Sequence, residues 1–351
     1  MTFEDFIMIA REKNASDIHL TADLPPVFRI NGDLSQIEEL NNIPITKRMI
    51  ISLLNAQQEE SFIAGNDVDF AFELSTGSRQ RANVYRHMGK VACAIRLLNN
   101  TVPTIEELGL PSVIKDLAGK KSGLILVTGM TGSGKTTTLS VMIDYINSTR
   151  PCHIITLEDP VEYRYEPKLA TIHQREIGRD TKSFQDALRS ALREDPDVIL
   201  VGEMRDYETM QLAVTAAETG HLVLATIHTR GAVRAVNRIV DAGPAELQQQ
   251  TTVQLSQILE CVISQSLLPL KDGSGRIAAL EILVGTDAVR NIIRANKAFQ
   301  LETAIQQGKS AGMCLMDDVI LDYHRRGLIT NEVALFYADD RVTMSNKLSI
   351  K

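Results

Sequence analysis

The sequence predicts an α/β protein: a phosphate-loop domain on a mainly parallel sheet, preceded by a small α+β domain. Three observations carry that expectation. Gly129-Met130-Thr131-Gly132-Ser133-Gly134-Lys135-Thr136 completes a phosphate-binding loop directly behind the apolar run 123–128. Downstream of it, short apolar runs alternate with helical periodicity. Upstream, period-two patterns and an Asn-Gly turn mark antiparallel strands.

Taken in order, residues 2–14 form an amphipathic helix with Phe3, Phe6, Ile7 and Ile9 as core positions, and Thr2 with Asp5 resembles a capping pair. Residues 17–20 and 27–30 read as strands, and Asn31-Gly32 turns the second of them into 34–37, a strong hairpin signal. A single helix is expected over about residues 46–63. Alternation returns at Val68, Phe70 and Phe72, over 79–86 after Thr76-Gly77-Ser78, and over 90–98. Residues 1–98 therefore form the small domain. Pro103, Gly109 and Pro111 give 99–115 linker chemistry, which leaves 116–351 as the second domain with a helical C-terminal region.

In the second domain, strands are expected at 123–128, 153–158, 197–202 and 222–227. Helices fall around 135–148, 183–194, 207–218 and 231–240. Such alternation implies a mainly parallel sheet with helices on both faces, and ligands bound beyond the carboxyl ends of its strands.

The loop residues have separate tasks. Gly132 and Gly134 let backbone N–H groups curl around phosphate oxygens at a helix start near Lys135, with Gly129, Thr131, Ser133 and Thr137 as further nucleotide-binding residues. Lys135 adds a point charge and Thr136 a hydroxyl for Mg²⁺. A nucleoside triphosphate is the expected ligand.

Hydrolysis needs carboxylates, and two strand ends supply them. The second strand ends in Glu158-Asp159-Pro160-Val161-Glu162, the third in Glu203, with Arg205 and Asp206 close behind. Gly202 occupies the usual place of a magnesium-associated aspartate, so Glu203 is assigned to the metal shell through water, and Glu158 or Glu162 to the attacking water. The competing reading is a solvated acidic loop.

His228 closes the fourth strand beside the phosphate end, whereas His221 precedes that strand by its other end. Seven extended residues separate them by roughly 23 Å, too far to share a metal ion. On geometry, His221 is as much a core or interface residue as a functional one. Arg81 and Arg96, both on strands of the small domain, are the arginines chosen to stabilise charge on the transferred phosphoryl group.

Bulk composition narrows the remaining classes. The 351-residue chain is 44% hydrophobic and 23% charged with a net charge of −7, and has no Trp. An acidic chain with so few aromatics is a poor nucleic-acid binder, so no such partner is expected. No apolar run reaches the ~18–20 residues of a membrane span, and the N-terminus lacks a signal pattern, so a cytoplasmic location is expected. Cys93, Cys152, Cys261 and Cys314 are scattered without a C-x-x-C pair, which favours buried reduced thiols over a disulfide framework or zinc site.

Together with the phosphate loop, the acidic box 158–162, the run 188–197 leading into 201–206, and Thr219-Gly220-His221-Leu222 with His228-Thr229 resemble the motor ATPases of secretion systems and type IV pili. The resemblance covers essentially the whole chain and is strongest to short motors that retract pili. It implies a PAS-like N-terminal domain, a RecA-like ATPase domain, and a homohexameric ring on the cytoplasmic side of the inner membrane. ATP with Mg²⁺ would sit between the domains, and its hydrolysis would drive pilus retraction and twitching through an inner-membrane platform protein, with a second retraction ATPase as a further partner. It also assigns catalysis to Glu162 or Glu158, Glu203, His221 and His228.

Two departures qualify that likeness. The C-terminal retraction motif reads Ala288-Val289-Arg290-Asn291-Ile292-Ile293-Arg294-Ala295, without its final acid, and Met130 replaces a proline in the phosphate loop. The competing functions are a pilus-assembly or secretion motor, a hexameric DNA translocase, and a nucleotide-dependent scaffold.

Overall fold

The computed structural model describes residues 3–30, 32–98 and 101–349. Thr2 of the expected capping pair, Asn31 of the expected turn, and Asn99 and Asn100 of the expected linker lie outside the described residues. The chain divides into two compact units, Met1–Thr101 with Pro160–Arg164, and Val102–Asp159 with Tyr165–Lys351.

The first unit runs α1 (Phe3–Glu12), β1 (Ala15–Thr21), β2 (Val27–Ile30), β3 (Asp33–Gln36), α2 (Lys47–Ile51), α3 (Ala56–Ile63), β4 (Val68–Glu73), β5 (Arg79–His87) and β6 (Lys90–Leu97). Its strands form one antiparallel sheet in the order β3-β2-β1-β6-β5-β4. Alternate residues such as Ile18, Leu20, Val84, Cys93 and Ile95 face a core that also takes Phe6, Ile7 and Ala10 of α1. Phe3 and Ile9 are only partly buried against it.

The single helix expected over 46–63 is two helices. Asn55 interrupts it, because its side chain accepts the N–H of Gln58 while Gln58 Oε1 accepts the N–H of Asn55, both at 2.9 Å. That reciprocal capping box starts a new helix at Ala56, a local competition that periodicity alone does not register.

The second unit runs α4 (Val113–Ala118), β7 (Gly123–Thr128), α5 (Lys135–Thr149), β8 (His153–Glu158), β9 (Thr171–Glu176), α6 (Phe184–Ala191), β10 (Val198–Val201), α7 (Tyr207–Glu218), β11 (Leu222–Ile227), α8 (Ala232–Asp241) and α9 (Ala245–Ile258). It continues through β12 (Leu259–Pro269), β13 (Arg276–Val284), α10 (Asp287–Arg294), α11 (Leu301–Gln307), α12 (Met316–Arg325), α13 (Asn331–Tyr337) and α14 (Arg341–Ser349). Its seven strands lie in the order β13-β12-β7-β11-β10-β8-β9, parallel throughout except for β13 against β12. The expected α/β class and mainly parallel sheet are therefore found.

Every residue of β7, β10 and β11 is buried, as continuous Val/Ile/Leu runs demand when both sheet faces are covered. Successive residues enter different cores. Leu124, Leu126, Val223 and Ala225 pack with α6, α7 and α8 on one face, and Ile125, Val127, Leu222 and Leu224 with α4 and α5 on the other. Ile105 and Leu110, within the expected linker, are buried in the second of these cores. A separate cluster seats α12, α13 and α14 against Leu268 and Ala279 of the β12–β13 pair.

All four cysteines are free, but only Cys93 and Cys261 are buried; Cys152 and Cys314 are half-buried. Burial pushes the Cys93 thiol up to about 12 and the Cys314 thiol up to about 11.

Glu281 of β13 is a buried carboxylate whose Oε1 accepts the N–H of Ala232 at 2.7 Å, at the start of α8, and whose Oε2 lies 3.5 Å from the N–H of Met316. Burial raises its pKa above the ordinary 4.5, opposed by those two N–H groups. A raised folded-state pKa contributes stability below the unfolded value, and that contribution is lost as pH rises through the folded value. Glu281→Gln is therefore expected to gain melting temperature relative to the parent as pH rises above 4.5. Calorimetric scans at several pH values up to neutrality check this. A gap between the two proteins that stays constant with pH would contradict it.

Candidate active site

Gly123–Thr128 delivers the chain to the carboxyl edge of the sheet, where Gly129, Gly132 and Gly134 all have positive φ, at 146°, 79° and 88°. Glycine is required there for a second reason at Gly129, where a Cβ would lie 2.4 Å from the carbonyl oxygen of Gln265. At Gly132 a Cβ would meet nothing within 4 Å, so the loop is open on that side. Gly134 is the N-cap of α5, and Lys135 its first residue, as the motif predicts.

Lys135 Nζ donates to Gly129 O at 2.9 Å and to Met130 O at 3.1 Å. Burial pulls its pKa down, and the Glu203 carboxylate opposes that fall. Ser133 Oγ is a buried polar atom with no hydrogen-bond partner. Positive-φ glycines, an open side, a helix N-terminus and a buried ammonium together fit a polyphosphate.

Strand order sets which carboxylate can serve that loop. From the loop-bearing β7 the sheet continues β11, β10, β8, so the strand ends present His228, Glu203 and Glu158 in that sequence. Glu203 is about two strand spacings from β7, roughly 10 Å, and Glu158 about three, roughly 14 Å. The Glu203 carboxylate pairs with Arg205 Nε at 2.8 Å and lies 3.4 Å from His228 Nε2. His228 is followed by Thr229, whose hydroxyl is 2.7 Å from that of Thr128 at the end of β7. These contacts knit three neighbouring strand ends together.

Glu158, Glu162, His221, Arg81 and Arg96 complete the set of expected site residues. Glu158 is 4% exposed, and its Oε1 accepts the Thr156 hydroxyl at 2.7 Å and the Gln174 amide at 3.2 Å. Glu162 belongs to the segment that packs with the first unit. His221 sits before the amino end of β11 with its Nδ1 2.9 Å from Ala216 O, so within one chain the strand separates it from His228. Arg81 and Arg96 stand opposite each other on β5 and β6. Each has an acid of the first unit: Arg81 Nη2 reaches Asp69 at 2.7 Å and Arg96 Nε reaches Asp17 at 3.1 Å.

Thr136 offers its hydroxyl at the second position of α5, and Glu203 is the nearest strand-end acid in strand order. One hydroxyl plus one carboxylate, with phosphate and water oxygens filling the shell, is the donor set magnesium prefers, so the residues present fit that ion. Among the described residues there is no cluster of three or more His, Cys, Asp or Glu side chains able to hold a metal by themselves. No helix among them is long and apolar enough to cross a membrane.

Sequence reasoning missed Gln265. It belongs to β12, which pairs in parallel with β7 and brings Gln265 against the phosphate loop. The available signal was a pair of apolar runs around Asp272-Gly273-Ser274-Gly275, a turn sequence between strands.

Known proteins resemble this chain over nearly its whole length. The family model described as "Type II/IV secretion system protein" matches residues 2–343. The type IV pilus retraction ATPase PilT of Pseudomonas aeruginosa is 44% identical over 339 residues, covering 95% of this chain and 97% of that protein. A twitching motility protein of Neisseria gonorrhoeae is 46% identical over 327 residues, covering 91% of this chain and 86% of its own. Among solved structures, the pilus retraction motor PilT with bound ADP superposes with a TM-score of 0.91 at 44% identity over 99% of both chains.

Proposed function

The chain belongs to the type II/IV secretion system protein family, and from that premise we propose that it is an ATPase that powers type IV pilus retraction. The reading is carried by one observation: Lys135 in its glycine loop shares a sheet edge with the Glu203–His228 pair. A loop with neither acid nor histidine beside it would only hold phosphate. Similarity to a retraction ATPase and to a twitching motility protein over nearly the whole chain supports retraction over assembly as the output.

In this mechanism the backbone N–H groups of 129–136 and the Lys135 ammonium hold the nucleotide phosphates and take up charge that grows during phosphoryl transfer. Thr136 and, through water, Glu203 would hold Mg²⁺, which supplies further neutralisation of phosphate charge when bound. Arg205 fixes the Glu203 carboxylate from one side. His228 approaches it from the other, which ties the loop after β11 to the state of that acid. The attacking water is assigned to the acidic box, Glu158 or Glu162. A homohexamer bound to a platform protein at the cytoplasmic face of the inner membrane is the assembly this function requires.

Deletion of the gene tests the direction of work. Retraction predicts cells with excess surface pili that do not twitch. Cells without pili would assign the chain to assembly, and normally piliated, twitching cells would remove the motor reading altogether.

A further inference from the structure

Gln265 is 3% exposed, contributes nothing to the hydrophobic cores, and touches the phosphate loop at both ends. The register of β12 against β7, Ile263 opposite Val127 and Ser264 opposite Thr128, delivers it to the level of Gly129. Its backbone oxygen is what a Cβ at Gly129 would strike. Its side-chain Oε1 accepts the hydroxyl of Thr138, in the first turn of α5, at 2.7 Å. Its Nε2 would lie 2.8 Å from a Cβ at Gly134, the residue that hands the loop to α5.

We propose that Gln265 is a positioning residue for nucleotide affinity, its carboxamide holding α5 through Thr138 and setting its N–H edge beside Gly134 of the phosphate loop. The two ends of the amide do different work. Oε1 locks the helix through Thr138, while Nε2 presents a partial positive charge to a loop built to hold anions. A carboxylate in the same place would keep the Thr138 hydrogen bond and nearly the same shape, yet set a negative charge beside the phosphates. An apolar side chain of similar length would lose the Thr138 hydrogen bond and the amide dipole and add no charge.

Equilibrium titration of a fluorescent ADP analogue into nucleotide-free protein reads this directly, without turnover. Gln265→Glu is expected to raise the Kd about 30-fold or more at pH 8. The ratio of variant to parent Kd should then shrink as pH falls toward 5.5, because protonating the introduced carboxyl removes its charge. A side chain that merely fills space gives no such pH-dependent rescue. Gln265→Met should raise the Kd by roughly two- to tenfold with a ratio independent of pH, the effect of lost hydrogen bonds alone. Thr138→Val should weaken binding less than Gln265→Met does, and the double variant no more than the larger single loss, since the two side chains act as one contact.

Values for Gln265→Glu within twofold of the parent at pH 8, or a ratio flat with pH, would overturn the proposal. If that variant does not fold, additive losses in the Thr138–Gln265 cycle overturn it instead. The inference rests on nucleotide occupying the phosphate loop, and the parent titration separates the two ideas. A parent that binds no ADP ends both, whereas a parent and variants that bind equally end only the role of Gln265.

Discussion

Lys135→Ala is expected to lower ATP turnover by at least about a thousandfold and to weaken ADP binding by about two orders of magnitude. The side chain is 8% exposed and held against Gly129 O and Met130 O inside the loop. Burying an ammonium against carbonyl oxygens is costly unless an anion arrives to match it, and its lowered pKa is the signature of that cost. The alanine variant keeps the N–H cradle and loses its one full positive charge. Lys135→Arg should be nearly as damaging, because a planar guanidinium cannot occupy the place of a compact ammonium among those carbonyls. Phosphate release and ADP titration measure the two losses, and thermal unfolding separates them from misfolding. Parent-like turnover in a folded Lys135→Ala protein would remove the loop from the reaction.

Glu203→Gln should divide binding from turnover. ATP hydrolysis is expected to fall by about 10²- to 10³-fold, while ADP affinity measured without magnesium stays within about threefold of the parent. The isosteric amide can still meet Arg205 and His228, which approach at 2.8 and 3.4 Å, so the three strand ends remain connected. What disappears is the negative charge near Lys135 and the donor proposed for the magnesium shell. Equal losses of hydrolysis and magnesium-free ADP binding would mark Glu203 as a structural support of the loop.

The parts of the fold most legible in the sequence are those where local pattern and tertiary burial demand the same residues. β7, β8 and β11 occupy the expected spans, and α7 runs over the expected 207–218, with Asp206 capping it through the N–H of Thr209 at 2.9 Å. β9, with the sequence Thr-Ile-His-Gln-Arg-Glu, was invisible because an edge strand with one wet face needs no apolar run. β12 was missed because Ser264, Gln265 and Ser266 interrupt its apolar alternation, and two of those three bond to the starts of α8 and α5. Polar residues buried for a local task are where pattern fails first.

The candidate site was legible to the extent that it follows from strand ends. Gly129, Lys135, Glu203 and His228 sit within a few residues of strands whose direction the alternation of strands and helices already implies. Which acids share a place depends on strand order, and strand order is not a property of any single segment. That is why Glu158 and Glu203 could be proposed together and yet differ by a full strand in their distance from β7. His221 likewise turns its ring onto Ala216 O, a contact set by the turn after α7 and absent from any motif.

The three strands that carry Lys135, His228 and Glu203 are buried along their whole length on both faces. Segments of that kind are the last to open in native-state fluctuations, since opening one would wet two cores at once. The residues of the proposed chemistry are therefore mounted on segments expected to open late. Motion during a turnover cycle is expected in segments other than these strands, so that the groups that meet phosphate keep their spacing from one cycle to the next.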